Sequence, residues 1–181
     1  MGSYKENDYK VFDIFRNHWA LVTAGNIEDF NSCTVSWGSM GTLWTSNKDT
    51  GSVITVYIHP ARYTNGFMRD NDTFTVSFFP EEYKKAMGYI GSHSGRDGDK
   101  AAAAGLTPIS FGDSVTYKEA SLTFLCKKMY QHQFDNDGLA EEIKDYYAAN
   151  PRVYPSSRPE GWEPHWEFIG EIIDTLDSDN K

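Results

Sequence analysis

The sequence has little positive charge, two cysteines and no long apolar run. Its 17 lysines and arginines stand against 26 aspartates and glutamates, which gives a formal net charge of −9. That charge disfavours nucleic acids and anionic membrane surfaces as partners. No apolar stretch is long enough to cross a bilayer, and the first residues lack a signal-peptide core, so we expect a cytoplasmic protein. Cys33 and Cys126 have neither metal-type nor redox-type spacing and are expected to be reduced thiols packed in the core.

Motifs of several enzyme classes are missing as well. The five histidines include no pair at helical metal spacing and no His-Glu-x-x-His motif, so no metal site is predicted. The sequence has no Gly-x-Ser-x-Gly elbow, no Walker-type phosphate loop and no Gly-x-Gly-x-x-Gly motif after a strand. Hydrolase, kinase and Rossmann-type activities therefore have no residues to support them.

The composition is that of a folded protein rich in aromatic residues. The 181 residues are 39% hydrophobic and 24% charged, which predicts a single domain over residues 1–181. Aromatic residues make up 15% of the chain. Most are expected to fill a β core, and the others are available to stack on a planar ligand or to form a subunit interface.

Alternation of apolar and polar residues is the main secondary-structure signal. In residues 73–79, Phe74, Val76 and Phe78 fall on one face of a strand whose other face is polar. Strands are predicted at residues 18–24, 31–37, 53–58, 73–79, 121–126 and 166–173, and the acidic residues from Asp174 onward are expected to form a solvated tail. Because few full-length helices separate these strands, an antiparallel barrel is favoured over a doubly wound sheet.

Three short helices are predicted. The first spans residues 81–90 behind Pro80, and the second spans residues 100–104, with Asp97 or Asp99 as its cap and Gly105 at its end. The third covers about residues 137–149 and is stopped by Pro151. The proline-rich residues 151–164 that follow are interpreted either as a lid or as a surface connection.

Residues suited to binding an oxyanion follow the predicted strands. Arg62, Tyr63 and Thr64 come after strand 53–58. Residues 92–100 add hydroxyls, glycines and the charges of Arg96 and Lys100, and a phosphate needs such converging donors together with a cation. Taken singly, a residue such as Arg62 more often forms a surface ion pair, and a segment such as residues 94–97 is more often a capping turn.

In their order along the chain, these segments resemble the flavin reductase-like, FMN-binding split-barrel family, which includes the flavoredoxins. The matching segments are Asn31-x-x-Thr34-x-Ser36-Trp37-Gly38, Arg62-Tyr63-Thr64, Thr75-Val-Ser77-Phe78-Phe79, Ser94-Gly-Arg96-Asp97 with Lys100, and His165-x-x-x-Ile-Gly-Glu171. The resemblance covers roughly residues 15–130 and the last strand. It implies a mainly β fold, a split β-barrel with Greek-key topology and a few short helices, in which residues 137–164 are an insertion.

The resemblance also implies a homodimer with one FMN in each of two clefts at the subunit interface. Residues expected to line the flavin ring are Thr34, Ser36 and Trp37, bordered by Ser77 and Phe78. Residues expected to hold the phosphate side are Arg62, Tyr63, Thr64, Ser94, Arg96 and Lys100. His165 is expected on the catalytic face, next to the nicotinamide, with a strand histidine at the dimer surface as the alternative.

Two functions follow from the resemblance. The first is an oxidoreductase that transfers hydride from NADH or NADPH to flavin and passes electrons to free flavin or to a partner. The alternative is a non-enzymatic FMN-binding electron carrier, flavoredoxin-like, that another protein reduces. The chain has Glu163-Pro164 where many relatives carry Gly-Asp, which keeps both functions open. The pyridoxamine-phosphate oxidases have the same barrel, which makes their chemistry a third possibility, but the residues here match the flavin reductase branch better.

Overall fold

Nine strands are the main elements of the computed structural model, which describes residues 4–46, 49–150 and 162–178. The strands are β1 Ala20–Asn26, β2 Asp29–Val35, β3 Gly38–Ser46, β4 Asp49–Ile58, β5 Thr73–Phe78, β6 Pro108–Phe111, β7 Ser114–Tyr117, β8 Leu122–Gln133 and β9 Trp166–Asp177. The helices are α1 Val11–Asp13, α2 Tyr63–Asp70, α3 Lys84–Ser92, α4 Lys100–Ala103 and α5 Glu141–Ala149. No helix among these residues is long and apolar enough to span a membrane.

The main sheet has seven antiparallel strands in the order β2-β1-β5-β8-β9-β4-β3, and β6 and β7 form a separate hairpin. The two edge strands, β2 and β3, are consecutive in the chain, and only Ser36 and Trp37 join them. The sheet must therefore curl until its edges approach each other, although no backbone ladder closes the gap within the described residues. The mainly β, split-barrel fold expected from the sequence is confirmed.

The barrel interior is apolar because alternate residues of its strands point inward and most of these residues are apolar. Phe78 is one of its buried rings, with its ring centroid 5.5 Å from that of Phe15 and 6.5 Å from that of Phe124. Other buried members of this cluster are Ala20, Val22, Val35, Ile54, Val56, Ile58, Met68, Phe74, Val76 and Phe168. Cys33 and Cys126 belong to it as well, as expected for core thiols.

The polar face of β5 is buried too, which the alternation did not indicate. Thr75 donates a 2.5 Å hydrogen bond to the Val115 carbonyl of the β6–β7 hairpin. The hydroxyls of Ser77, Thr116 and Thr123 form a buried network with oxygen separations of 2.7–3.1 Å. The hairpin therefore covers this face, and mutual hydrogen bonds satisfy the buried hydroxyls.

The predicted helices are present with shifted ends. The first begins as a 3-10 turn at Glu81–Tyr83 and continues as α3, and the third begins at Glu141. Asp99 caps α4 by accepting a 3.0 Å hydrogen bond from the Ala102 N–H. Gly105 follows that helix with a φ of +73°, a conformation that glycine adopts without strain. Helices α2 and α3 both pack against β2.

The acidic end of the chain was predicted wrongly. Asp174 and Asp177 lie in β9, where they pair with Leu125 and Leu122 of β8. Strand β9 continues through this stretch because it pairs with the buried first half of β8, although its own side chains here are exposed or half-buried. Residues 151–161, which include most of the proposed lid, lie outside the described residues.

Candidate functional site

The candidate site lies at the gap in the barrel, next to α2 and α3. A cleft of about 150 Å³ opens there between the end of β2, the end of β4 and the start of β9. Its lining residues are Cys33, Thr34, Val35, Ser36, Trp37, Tyr57, Ile58, His59, Arg62 and His165. The fold thus brings together five residues predicted from the sequence, namely Thr34, Ser36, Trp37, Arg62 and His165.

Two cations converge beside this cleft at the C-terminal end of α3. Arg62 Nη1 donates to the Gly91 carbonyl at 2.7 Å. Lys100 Nζ donates to the carbonyls of Ile90 and His93 at 3.4 and 3.2 Å. Neither cation forms an ion pair with a carboxylate in the described part of the chain. A helix C-terminus offers only about half a negative charge, so it orients the two cations without neutralising them.

Burial makes the charge of Lys100 costly. The side chain is 9% exposed, and burial lowers the pKa of Lys100, with a smaller lowering from Arg62. Close by, burial raises the pKa of the Cys33 thiol although Lys100 and Arg62 oppose that rise. A bound anion would stabilise the protonated form of Lys100, which burial disfavours.

The backbone around these cations is held close to β2. Asn31 Nδ2 donates to Thr64 Oγ1 at 2.9 Å, which ties β2 to the first turn of α2. A Cβ added to Gly95 would lie 2.9 Å from Asn31 Cγ and 3.2 Å from the Tyr63 ring. A side chain at position 95 therefore has no room, and the glycine lets the loop pass directly over Asn31 and Tyr63.

The other residues that were predicted to bind the phosphate lie in the same loop region. The Arg96 guanidinium carbon is 4.5 Å from the centroid of the Tyr63 ring, and the Ser94 hydroxyl accepts a 3.2 Å hydrogen bond from the Arg96 N–H. A second cleft of about 290 Å³, lined in part by Asn31, Tyr63, Gly95 and Lys100, adjoins them. Arg62, Tyr63, Thr64, Ser94, Arg96 and Lys100 thus occupy one neighbourhood.

Ser77 and Phe78 are not brought to the cleft. Ser77 is fully buried in the hydroxyl network beneath the hairpin, and Phe78 lies in the barrel interior. Strand β5 is separated from β2 by β1 in the sheet order, which explains why its side chains do not reach the cleft. We leave these two residues out of the site that we propose below.

His165 is held in place by its backbone and by two neighbouring rings. Its carbonyl accepts a 3.0 Å hydrogen bond from the Phe134 N–H. Its ring centroid lies 4.6 Å from that of Trp37 and 5.1 Å from that of His59. Burial lowers the pKa of His165 to about 3, with further lowering from His59 and Arg62. The imidazole is therefore neutral at pH 7 and can give or accept a hydrogen bond without carrying charge.

His59 is a site residue that the sequence reasoning missed. It is 2% exposed, and its Nδ1 accepts a 3.1 Å hydrogen bond from the Ala61 N–H. Burial lowers its pKa, against the opposing effect of the nearby Glu163. Its position directly after the buried strand β4 was an available signal. Among the described residues, no group of three or more His, Cys, Asp or Glu side chains is placed to hold a metal ion.

Comparison with known proteins identifies a family. The sequence model of the family described as "flavin reductase like domain" matches residues 13–181. No curated protein gives a significant match. The solved structure of flavoredoxin from Methanosarcina acetivorans is 20% identical with a TM-score of 0.63, and the match covers 95% of this chain and 74% of that protein.

Two further solved structures show the same likeness. The FMN-binding protein from Thermus thermophilus with bound 1-cyclohex-2-enone is 20% identical with a TM-score of 0.63, over 89% of this chain and 70% of that protein. The NADH:FAD oxidoreductase from Streptomyces globisporus is 14% identical with a TM-score of 0.60, over 88% of this chain and 74% of that protein. At such identities the likeness shows a shared fold alone.

Proposed function

Because the chain belongs to the flavin reductase like family, we propose that it binds FMN and transfers hydride from NADH or NADPH to flavin. Electrons would then pass to free flavin or to a protein partner. The observation that carries the proposal is the pair of cations at the end of α3, Arg62 and Lys100, which donate to backbone carbonyls. Two positive charges at one helix end, with no carboxylate partner among the described residues, fit a phosphate monoester.

The donor set beside the cations fits the remainder of FMN. Ser36 offers a hydroxyl just after β2, Thr34 offers one whose proton already goes to the Met87 carbonyl, and the Trp37 ring, 42% exposed, offers a flat apolar surface. The cleft of about 150 Å³ is smaller than the roughly 300–1,000 Å³ of most ligand sites. We therefore expect part of the flavin to lie outside it, where a second subunit would cover it.

Bound FMN would supply the redox chemistry, since its ring system accepts hydride. The protein's own residues would bind, orient and shield. Arg62 and Lys100 would fix the phosphate, and Trp37 would limit the access of water. His165, neutral at pH 7 because burial lowers its pKa to about 3, would offer a hydrogen-bonding imidazole edge rather than a proton from an imidazolium.

A homodimer is part of this proposal. Strand β3 lies at an edge of the sheet and exposes two large apolar side chains, with Leu43 38% and Trp44 48% exposed. An edge strand with exposed apolar residues favours pairing with another chain. Light scattering at micromolar concentration should give twice the monomer mass, and a monomer that still retains FMN would contradict the dimer.

FMN titration of single variants tests the phosphate cradle. Arg62→Ala and Lys100→Ala should each weaken FMN binding by about 1–3 kcal/mol, or roughly 5- to 150-fold, the usual range for a charge-assisted hydrogen bond. Lys128 gives a matched control because its Nζ also donates to two carbonyls at a helix end, those of Met68 and Arg69, both at 2.8 Å. Lys128→Ala should leave FMN affinity unchanged. Unchanged affinity in both site variants would refute the cradle.

An electron carrier without reductase activity is the second candidate function. The observation in its favour is the contact between the Trp37 and His165 rings, with centroids 4.6 Å apart, because Trp37 occupies space beside the residue expected to face nicotinamide. Anaerobic addition of NADH or NADPH to the FMN-loaded protein separates the two functions. Bleaching of the flavin absorbance supports the reductase, and a flavin that stays oxidised under excess of both nucleotides supports the carrier.

A further inference from the structure

Two buried histidines face each other in the flavin cleft. His59 directly follows β4, and His165 directly precedes β9. Their ring centroids are 5.1 Å apart at an interplanar angle of 74°, so the edge of one ring meets the face of the other. Both line the cleft beside Trp37 and Arg62. His59 is therefore placed to support the ring that borders the proposed flavin.

Two hydrogen bonds fix the ring of His59. Its Nδ1 accepts from the Ala61 N–H at 3.1 Å. A nitrogen that accepts carries no proton, so the neutral ring has its proton on Nε2. Burial lowers the pKa of His59, and it outweighs the opposing effect of the second hydrogen bond, which joins His59 to the backbone of Glu163. The ring thus links the end of β4 to the segment that enters β9.

The segment that carries His165 is held from both flanks of β9, which lies between β8 and β4 in the sheet. On the β8 flank, Gln133 Nε2 donates to the Pro164 carbonyl at 3.0 Å, and the Phe134 N–H donates to the His165 carbonyl at 3.0 Å. The hydrogen bond from His59 comes from the end of β4, on the other flank. His59 therefore secures this segment from the side on which the cleft lies.

The other ring in contact with His165 is that of Trp37. The two centroids are 4.6 Å apart at an interplanar angle of 38°. Trp37 is 42% exposed and lies in the two-residue link between β2 and β3, whereas His59 is 2% exposed. A buried ring with hydrogen bonds to two chain segments moves less than a half-exposed ring in a link between edge strands. His59 is therefore the more rigid of the two neighbours, and it determines where the His165 imidazole lies.

We propose that His59 is a positioning residue, which holds the His165 imidazole in one place beside the flavin through its two hydrogen bonds and its contact with the His165 ring. The inference deepens the proposed function and rests on it for the reaction that His165 serves. An apolar side chain of similar volume would fill the same space but would not hold the Glu163 backbone. The hydrogen-bonding chemistry of the ring, rather than its size, is thus what this position requires.

NMR of the whole chain without FMN tests the arrangement directly. With isotope-labelled histidines, long-range ring spectra report which nitrogen carries the proton. His59 should have its proton on Nε2 at pH 7.5, titrate below the ordinary pKa of 6.5 and show nuclear Overhauser contacts with the His165 ring. The other charged or titratable groups near the two rings are Cys33, Tyr57, Arg62 and Glu163. A proton on Nδ1 of His59, or no contact between the rings, would overturn the proposal.

Substitutions separate the hydrogen bonds of His59 from its volume. His59→Leu keeps most of the volume and loses both hydrogen bonds, whereas His59→Gln keeps a donor and an acceptor. In His59→Leu the His165 signals should broaden or split and lose the shift that the Trp37 ring causes, and in His59→Gln they should stay close to wild type. The control His132→Gln, at an exposed position on β8, should leave them unchanged. A wild-type His165 spectrum in His59→Leu would assign the support to packing alone and overturn the proposal.

The rate of flavin reduction gives a second readout. In the FMN-loaded protein, the limiting rate at saturating NADH or NADPH should fall at least about tenfold in His59→Leu, because a small misplacement of a group beside the reacting atoms is costly. FMN affinity should stay within about twofold of wild type, because Arg62 and Lys100 are untouched. His59→Gln should recover most of the rate. Equal limiting rates in wild type and His59→Leu would overturn the inference and leave the proposed function intact.

The two readouts distinguish failure of this inference from failure of the proposed function. If neither nucleotide reduces the flavin of the wild type, the proposed reductase function fails. The NMR measurements need neither FMN nor nucleotide, so they still decide whether His59 holds His165. The wild-type spectra decide this point even if a variant does not fold.

Discussion

Acid should destabilise this protein through His165 more than through an ordinary histidine. Burial lowers the pKa of His165 to about 3, whereas the unfolded chain binds that proton near the ordinary value of 6.5. Below pH 6.5 the unfolded state therefore holds more protons than the folded state. The stability contributed by the neutral imidazole is complete above pH 6.5 and is lost as the pH falls toward 3.

The magnitude follows from that difference. Between the folded and the unfolded pKa of a single group, each pH unit changes the free energy of unfolding by about 1.4 kcal/mol. Between pH 6.5 and pH 4.5 the wild type should lose about 2–3 kcal/mol of unfolding free energy through His165. His165→Gln lacks this titration, and its stability should fall less over the same range. His59 contributes with the same sign in both proteins, because burial lowers its pKa as well.

Urea denaturation followed by tryptophan fluorescence at pH 7.5, 6.5, 5.5 and 4.5 measures the effect. The quantity to compare is the change in unfolding free energy with pH, since any constant packing cost of the substitution then cancels. His132→Gln, at an exposed position on β8, controls for the loss of a histidine as such. Parallel curves for the wild type and His165→Gln would refute the buried, neutral imidazole.

Two further predictions concern the barrel core. Gly170→Ala should lower the unfolding free energy by about 1–3 kcal/mol in urea, because the added Cβ would lie 2.5 Å from Phe74 Cζ and 2.7 Å from Cys126 Cβ; wild-type stability would contradict this close packing. The Cys126 thiol should resist a disulfide reagent until the protein unfolds, because burial raises its pKa and the thiolate is the reactive form. Rapid labelling of both thiols in native buffer would argue against that burial.

The sequence predicted the fold best where one element has one strong pattern. Strand β5 alternates clearly and the first half of β8 is a short apolar run, and both were found. Strand β3 was missed because Gly38 and Gly41 interrupt its pattern and, as an edge strand, it buries little of its surface. Helix α2 was missed because it contains Asn65 and Gly66, poor helix formers that packing against β1 and β2 overrides.

The hairpin β6–β7 was a different omission. Gly112 adopts a φ of +57° between two four-residue strands, and a Gly-Asp pair between short apolar runs is a recognised turn signal. The pattern was therefore present but short. Its consequence was larger than its length, since this hairpin buries the hydroxyl face of β5 and encloses Ser77, which the motif alone had assigned to the flavin.

Part of the candidate site could likewise be predicted from the sequence, and part required the structure. Arg62 and Lys100 could be chosen from the sequence once the family resemblance was added, because cations beside glycines and hydroxyls suit a phosphate. Their convergence on the carbonyls of Ile90, Gly91 and His93 could not, since it depends on where α3 ends relative to α4. His59 required the tertiary structure, because its contact with His165 joins two residues that are 106 positions apart in the sequence.

A chain with a net charge of −9 can bind anions only if its cations act locally. At physiological ionic strength the Debye length is about 8 Å, so carboxylates farther away are largely screened while contacts within a few ångströms are not. Arg62 and Lys100 meet this condition at the end of α3. The acidic surface then repels large polyanions, because they must approach many carboxylates at once. A small anion meets only the local cations. We therefore expect this charge distribution to favour small anions over polyanions.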